Sequence, residues 1–223
     1  MNAEPKALPL PTLRRLPRYV YLLKKLERTN VRFVSATLIA EALGLESIQV
    51  RKDLAMTGII GKPKTGYQLN ELINSIVHFL NWDNMQDAFL VGAGGLGRAI
   101  LGYKNFQNYG LNILAAFDSN PKKIGRKIHG IEIFPIEKMK DLAKRMNIRI
   151  GVITVTPEYA QTIADDMIAG GIRAIWNFAP VSIKVPDDVA LEHVHLSQSL
   201  GVLTHKLSVM LNSEINQTEI ENV

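Results

Sequence analysis

Apolar positions recur at helical spacing in the first third of the chain. Intervals of three and four residues predict an amphipathic helix over residues 12–29. Its apolar face comprises Leu13, Leu16, Val20 and Leu23. A second helix is predicted after Ser35, a suitable N-cap, and it ends at Gly44, which suits a left-handed C-terminal cap. A third helix begins near Ser47, so the pattern is typical of a small helical domain.

The third predicted helix, residues 47–58, divides into an inner and an outer side. The positions expected to pack inward are Ile48, Leu54 and Ala55. A helix with a polar outer side fits the major groove of DNA, where Arg reads guanine and Gln reads adenine. Residues 59–69 then predict a hairpin around GKPKTG, which gives the layout of a winged helix. The predicted DNA contacts are Ser47, Gln49, Val50, Arg51 and Lys52 on the helix, and Lys62, Lys64, Gly66 and Tyr67 in the wing.

Helix and strand patterns alternate in the rest of the chain. A buried strand over 88–93 runs into the glycine turn VGAGGLG and then into a helix. In this context the three spaced glycines predict a dinucleotide-binding turn. The next strand, 111–118, ends in Asp118, whose carboxylate suits the ribose hydroxyls of NAD and would repel the 2′-phosphate of NADP. The fold class predicted is therefore an α/β Rossmann-type domain preceded by an α+β winged-helix domain.

The predicted cofactor is NAD(H), and its site lies at the carboxyl ends of the strands. Around the glycine turn the predicted contacts are Gly92, Ala93, Gly94, Gly95, Leu96, Gly97 and Asp118. Later strand ends are expected to add Thr154, Val155, Thr156, Asn177, Phe178 and Pro180. We expect no metal site.

The last predicted helix, residues 196–214, has a broad apolar face that needs a partner. Packing on its own domain and pairing with a second subunit both remain open. The predicted domains are a winged-helix domain with its connecting helix over 1–80, a Rossmann domain over 81–195, and a dimerisation helix with its tail over 196–223.

Charge separates the two halves of the chain. Residues 1–70 contain 12 Lys and Arg against 5 Asp and Glu, whereas residues 71–223 contain 14 against 16. This asymmetry favours a polyanionic partner for the first half. The chain has no cysteine, no apolar run long enough to span a bilayer and no secretory signal at its start, so we expect a cytoplasmic protein without a membrane segment.

Several longer motifs resemble the Rex family of redox-sensing transcriptional repressors. The motifs are RRLPRYVYLLKKL, QVRKDLA, VGAGGLGRAI, FDSNPKKIG, ITVTPEYAQ and WNFAPV. The resemblance implies a homodimer with a domain-swapped C-terminal helix. It also implies that this dimer binds an AT-rich palindromic operator of TTGTGA type and leaves it when NADH binds. It also implies that Tyr103 and Leu196 belong to the cofactor and coupling region.

Two positions depart from the family pattern. Many members place an arginine in the first helix and an aspartate before the last one, where this chain has Tyr21 and His195. An Arg-Asp ion pair cannot form there. Our hypothesis is a hydrogen-bonding cluster of Tyr21, Tyr103 and His195, which would make the response depend on pH because imidazole titrates near neutrality. The alternative is a diverged interface with weakened redox sensing.

Two other functions compete with a repressor. An NAD-dependent dehydrogenase would need a proton donor beside the hydride path, and little sequence remains for a substrate domain. A regulatory module that binds CoA or another nucleotide would give Asp118 no special reason to end the second strand. We therefore expect a regulator and not an enzyme.

Overall fold

The computed structural model describes residues 9–221, with side chains to residue 212. The chain divides into two compact units. The first comprises the residues up to Met85 together with Asn108–Gly110, and the second comprises Gln86–Gln107 together with the residues from Leu111 onward.

The first unit is a helical domain with one small sheet. Its elements are α1 (Leu10–Glu27), β1 (Phe33–Val34), α2 (Ala36–Leu43), α3 (Ser47–Met56), β2 (Tyr67–Gln68) and α4 (Leu69–Phe79). The predicted cap of α2 is confirmed, because the Ser35 side chain accepts a hydrogen bond from the Leu38 amide at 3.0 Å. Gly44 ends α2 with φ of 63°. Local sequence therefore determines where α2 begins and ends.

The hairpin predicted from residues 59–69 is only partly correct. Ile59 and Ile60 do not form a strand, and Ile60 is 89% exposed. Strand β2 pairs with β1 in antiparallel register, which places Tyr67 opposite Val34. The prediction failed because the partner of β2 lies more than thirty residues earlier in the chain, in a strand too short to give a periodic signal.

Apolar side chains from all four helices form the core of the first unit. Leu16 and Leu23 of α1 pack with Val50 of α3 and with Leu72 and Ile76 of α4. All five are fully buried. Because α3 is held by this core, its outer face has a fixed direction.

The second unit is a doubly wound sheet with helices between its strands. The strands are β3 (Gln86–Val91), β4 (Leu111–Asp118), β5 (Lys127–Ile128), β6 (Ile131–Pro135), β7 (Ile150–Ile153), β8 (Ala174–Asn177) and β9 (Ala190–His193). The helices are α5 (Gly95–Gly102), α6 (Met139–Arg145), α7 (Pro157–Ala169) and α8 (Leu196–Glu221), with short 3₁₀ turns at Lys104–Tyr109 and Ile136–Lys138.

The strand order of the large sheet is β5-β6-β4-β3-β7-β8-β9. Every pairing is parallel except that of β5 with β6. The order reverses between β3 and β7, and in such sheets ligands bind at the carboxyl ends of the strands beside this switch point. The sheet therefore confirms the predicted Rossmann-type architecture and positions the glycine turn that follows β3.

Helix α8 leaves large apolar side chains in solvent. Leu200, Leu203, Leu207 and Met210 are each more than half exposed. Among the helices that the structure describes, none is both long enough and apolar enough to span a lipid bilayer.

Candidate functional sites

A groove of about 430 Å³ lies between α3 and the wing. Arg51 of α3 lines it together with Lys62 and Lys64 of the wing. The amino end of α2 contributes its N-cap Ser35 and Thr37, neither of which was predicted to contact DNA. Cationic side chains and the amino end of a helix both favour phosphate. Arg51 of the helix and the predicted wing residues therefore meet on one basic surface, which we call the basic groove.

The wing is a tight turn fixed by its backbone. Lys62 and Gly66 exchange hydrogen bonds of 2.7 and 2.9 Å, and Lys64 at the tip has φ of 62°. Gly66 has φ of 86°, and a Cβ there would lie 2.5 Å from the Val34 carbonyl oxygen. The wing therefore needs glycine at position 66 for its backbone, whereas Lys62 and Lys64 remain exposed.

The inner and outer faces of α3 differ from the predicted ones. Val50 was expected to contact DNA, but it is fully buried in the core, so this prediction is wrong. Ile48 and Ala55 were expected to pack inward and are exposed. The buried positions are Val50, Asp53 and Leu54, which share one face because they are three and four residues apart.

Asp53 is a buried carboxylate that the sequence analysis missed. Arg15 donates to its two oxygens at 2.6 and 2.8 Å, and Tyr19 donates at 2.6 Å. Thr12 and Gln49 each donate at 2.9 Å. Burial alone would raise the pKa of Asp53, but these hydrogen bonds lower it to about 2. Burial and the bond to Asp53 raise the pKa of Tyr19.

This cluster joins α1 to the helix predicted to read DNA. Gln49 is one of the predicted base contacts, and its amide nitrogen is already bound to Asp53. The side-chain oxygen of Gln49 takes no part in this bond, because it is a hydrogen-bond acceptor like the Asp53 carboxylate. We conclude that Asp53 holds Gln49 in one orientation while Arg51 and Lys52 on the same helix stay exposed.

The glycine turn fits tightly against the neighbouring strands. Gly92 has φ of 102°, and a Cβ there would lie 2.8 Å from the backbone of Thr154. A Cβ on Gly97 would overlap the Gly92 carbonyl oxygen. Nothing lies within 4 Å of a Cβ built on Gly94 or Gly95. Gly92 and Gly97 are therefore needed for the turn itself, whereas Gly94 and Gly95 leave open space above it.

The amino end of α5 begins in this open space. The first amides of a helix have no acceptor within it, so those of Gly95, Leu96 and Gly97 can bind an anion. The Ala93 amide, in contrast, donates to Asp118 at 2.9 Å. The turn thus offers a cradle for a diphosphate, and Ala93 acts by holding the acid.

Asp118 lies at the end of β4 and is 8% exposed. Besides the Ala93 bond, its carboxylate accepts hydrogen bonds of 2.8 Å from the Asn120 amide and from the ammonium group of Lys123. A fixed carboxylate beside the glycine turn is the arrangement expected for binding ribose hydroxyls.

The end of β7 packs against the turn. The Thr154 hydroxyl donates to the Gly92 carbonyl at 2.7 Å, which stabilises the turn. Val155 is half-buried and Thr156 is exposed before α7. Of the three predicted contacts, Thr154 is thus engaged with the protein itself and Thr156 faces solvent.

Asn177 is the last residue of β8, the strand end at which it was predicted. It is fully buried, and its amide nitrogen donates to the Val181 carbonyl at 2.9 Å while its oxygen accepts from the Ala179 amide at 2.9 Å. The side chain thus folds the following loop, and its predicted place beside the nicotinamide stays a prediction. In that loop Phe178 is half-buried, whereas Pro180 is exposed.

Of the residues predicted to form the coupling region, Tyr21 belongs to the first unit, and Tyr103, His195 and Leu196 belong to the second. Tyr103 packs on Phe106 with ring centroids 4.7 Å apart. His195 stacks on His193 at 5.5 Å, and Leu196 is 65% exposed. Tyr21 is 77% exposed on α1. The cluster of Tyr21, Tyr103 and His195 stays a prediction.

Histidine, aspartate and glutamate side chains do not gather into a metal site in the part of the chain that the structure describes. Two family models match the chain. One, described as a putative DNA-binding protein N-terminus, matches residues 7–55, and one described as a CoA binding domain matches residues 83–181. Fold and sites together define a winged-helix protein that carries a Rossmann-type domain.

Curated relatives match almost the whole chain. The redox-sensing transcriptional repressor Rex of Treponema denticola is 44% identical over 212 residues, which are 95% of this chain and 99% of that protein. The chain therefore belongs to the Rex family of redox-sensing transcriptional repressors. Rex of Clostridium beijerinckii is 42% identical over 91% of this chain and 96% of its own length.

Solved structures of a Rex-family repressor, RSP, have the same fold. RSP in complex with β-NAD⁺ and operator DNA is 37% identical, with a TM-score of 0.87 over 95% of this chain and 98% of its own. RSP in complex with β-NADH is 36% identical, with a TM-score of 0.84 over 95% and 100% of the two chains.

Proposed function

We propose that this protein is a cytoplasmic, homodimeric repressor that binds an AT-rich palindromic operator and leaves it when NADH binds. One observation carries the proposal: a single chain holds a basic groove formed by Arg51, Lys62 and Lys64 and a glycine turn with a strand-end acid, Asp118. A relative with this architecture has been solved both with NAD⁺ on operator DNA and with NADH.

The first unit supplies sequence reading and phosphate contacts. Arg51 and the oxygen of Gln49 present groups to base edges, and exposed Ile48 presents an apolar surface suited to a thymine methyl group. Lys62, Lys64 and the amino end of α2 bind backbone phosphates. Arg15 and Asp53 position α3 from behind and do not touch DNA.

The second unit holds the dinucleotide. Two features of this unit fit a dinucleotide: the open space above Gly94 and Gly95, and the buried carboxylate of Asp118. The α5 amides bind the diphosphate, and Asp118 binds the ribose. Bound NAD(H) supplies a nicotinamide ring that is cationic when oxidised and neutral when reduced.

The loop after β8 supplies the redox preference. Phe178 packs on Trp176 with ring centroids 4.7 Å apart, and Ala179 is buried beside it. An apolar lining favours the neutral ring, since burying an unpaired cation is costly. Asn177 shapes this loop from below and acts as a positioning residue.

Dimerisation explains the exposed face of α8. A palindromic operator needs a two-fold symmetric protein, and a second copy of the chain covers Leu200, Leu203 and Leu207. The dimer has one arrangement that spans the operator and one that does not. NADH releases DNA only if its affinity for the second arrangement is higher than its affinity for the first. Tyr21, Tyr103 and His195, with Leu196 of the second copy, are the proposed coupling residues.

The alternative function is that of a dehydrogenase, and one experiment distinguishes it from a redox sensor. NADH binding is measured through energy transfer from tryptophan to the bound NADH. The same samples are then tested for oxidation of NADH with small carbonyl substrates. The sensor predicts saturable binding, no turnover, and a mobility shift of a TTGTGA-type palindrome that NADH abolishes and NAD⁺ does not. Steady NADH oxidation without any operator shift would overturn the proposal.

A further inference from the structure

Gln49 lies at the border between the buried and the exposed face of α3. Its side chain is half-buried, and it belongs to the first turn of the helix, which begins at Ser47. The exposed Lys52 follows three residues later, so the two side chains are neighbours on the helix surface. Recognition helices contact base edges with residues near their amino ends. In the proposed complex the direction of the Gln49 amide group therefore decides which base atom it can bind.

Asp53 determines that direction because it can only accept hydrogen bonds. Its pKa is lowered to about 2, so the carboxylate is ionised at neutral pH and has no hydrogen to donate. The bond of 2.9 Å between the two side chains must therefore come from the Gln49 nitrogen. If the amide turned over, two acceptor oxygens would meet at this distance. The Gln49 oxygen is consequently the atom that is turned away from Asp53.

The other partners of Asp53 hold its carboxylate in place. Arg15 and Thr12 donate at 2.8 and 2.9 Å to the oxygen that also accepts from Gln49, and Tyr19 donates to the second oxygen at 2.6 Å. Hydrogen bonds to an ionised group are the stronger ones, and Asp53 is fully buried. Among the described residues, none donates to the Gln49 side-chain oxygen. This oxygen is thus an oriented acceptor that still needs a donor.

We propose that Asp53 is a positioning residue for base recognition: it turns the Gln49 oxygen toward the operator, where that oxygen accepts a hydrogen bond from an exocyclic amino group. This inference rests on the proposed repressor function. In the major groove the amino donors are adenine N6 and cytosine N4, whereas thymine O4 and guanine O6 are acceptors. Gln49 accordingly selects an amino base at one position of each half-site. A glutamine without a fixed partner could turn its amide and bind either class.

The test removes exocyclic amino groups from the operator one at a time. Purine replaces each adenine and 2-pyrimidinone replaces each cytosine, at matching positions in both half-sites of a TTGTGA-type palindrome. Fluorescence anisotropy then measures the affinity of the full chain in the presence of NAD⁺. We expect one position at which affinity falls about 25-fold, since one hydrogen bond in each half-site contributes about fivefold. The base found there distinguishes adenine from cytosine.

Gln49→Met assigns this loss to Gln49. Methionine has a similar length but offers no amide oxygen to the base. The variant should bind the unmodified operator about as weakly as the parent binds the modified one, and removal of the amino group should then cost it less than about twofold. Any effect of the altered base on pairing or stacking is the same for both proteins and cancels in this comparison.

Asp53→Asn tests the positioning role through selectivity. Asparagine can donate to the Gln49 oxygen or accept from its nitrogen, so the Gln49 amide can take either direction. When a keto base replaces the amino base at the mapped position, the parent should lose at least about tenfold and Asp53→Asn less than about threefold. This ratio is measured on one protein, so it does not depend on the folded fraction. Tyr19→Phe removes another donor to Asp53 and should keep the selectivity of the parent.

The outcomes separate this inference from the proposed function. If NADH releases the operator but no amino group is coupled to Gln49, or the coupled position prefers a keto base, this inference is overturned alone. Unchanged selectivity in Asp53→Asn, or an equal loss of selectivity in Tyr19→Phe, also overturns it. Should Asp53→Asn fail to fold, the comparison with Gln49→Met still decides whether Gln49 reads an amino group. A parent that binds no duplex would overturn the repressor function and this inference together.

Discussion

Arg15 of α1 binds both carboxylate oxygens of Asp53 on α3, at 2.6 and 2.8 Å. Asp53 is fully buried, whereas the Arg15 side chain is 20% exposed. A two-point pair of this kind fixes direction as well as distance. It therefore sets how the helix that presents Arg51 and Gln49 is oriented on the helical core.

Replacing Asp53 with Asn should destabilise the first unit by about 3 kcal/mol, because breaking a buried pair leaves a charge without its partner. Urea unfolding measures this in a Trp176→Phe background, where Trp82 alone reports on the first unit. Asp83→Asn is the control, since its bond to His78 is exposed and should change the midpoint little. Equal unfolding midpoints for both variants would contradict the assigned role.

Acid should weaken the first unit through the same carboxylate. The folded pKa of Asp53 is about 2, below its ordinary value of 3.8, so its contribution is present above about pH 4 and is lost as the pH falls toward 2. Between pH 7 and pH 3 the parent should lose about 1 kcal/mol more stability than Asp53→Asn. Parallel pH profiles for the two proteins would refute this assignment.

Lys62 and Lys64 should act through phosphate charge and not through base identity. Each substitution by Ala should weaken operator and unrelated duplexes alike and lower the slope of log K against log salt by about 0.9. Anisotropy titrations over a salt series give this slope. Lys25→Ala removes a charge outside the basic groove and should leave the slope unchanged; a similar drop there would mean that the groove has no special part.

Gly94 and Gly97 should separate ligand binding from folding. A Cβ at Gly94 meets no protein atom, so Gly94→Ala should keep the thermal midpoint while its methyl group obstructs the diphosphate and weakens NADH binding at least tenfold. Gly97→Ala should lower both, because its Cβ overlaps Gly92. Thermal denaturation and NADH titration test the pair, and undiminished NADH binding by Gly94→Ala would exclude the proposed cradle.

Features that depend on neighbouring residues could be predicted from the sequence. The Ser35 cap, the Gly44 terminator and the position of Asp118 at the end of β4 all follow from local chemistry. Each is governed by a few consecutive residues.

Features that depend on distant residues could not be predicted. The Asp53 cluster requires α1 and α3 to meet across 38 positions from Arg15, so sequence alone shows only an acid on a basic helix. Val50 was predicted to face DNA because its sequence neighbours are polar. A helix of ten residues is too short for the apolar periodicity to show which side Val50 faces. Asn177 ends a strand as expected, but its loop folds back on it.

The most direct test holds total dinucleotide constant and varies the NADH to NAD⁺ ratio over operator-bound protein, with fluorescence anisotropy of the labelled duplex as the readout. We expect operator occupancy to fall as the ratio rises. In Asp118→Ala, which weakens binding of both forms, we expect occupancy no longer to follow the ratio. Operator occupancy that stays constant across all ratios, while tryptophan energy transfer shows NADH bound, would contradict the proposed control of DNA binding.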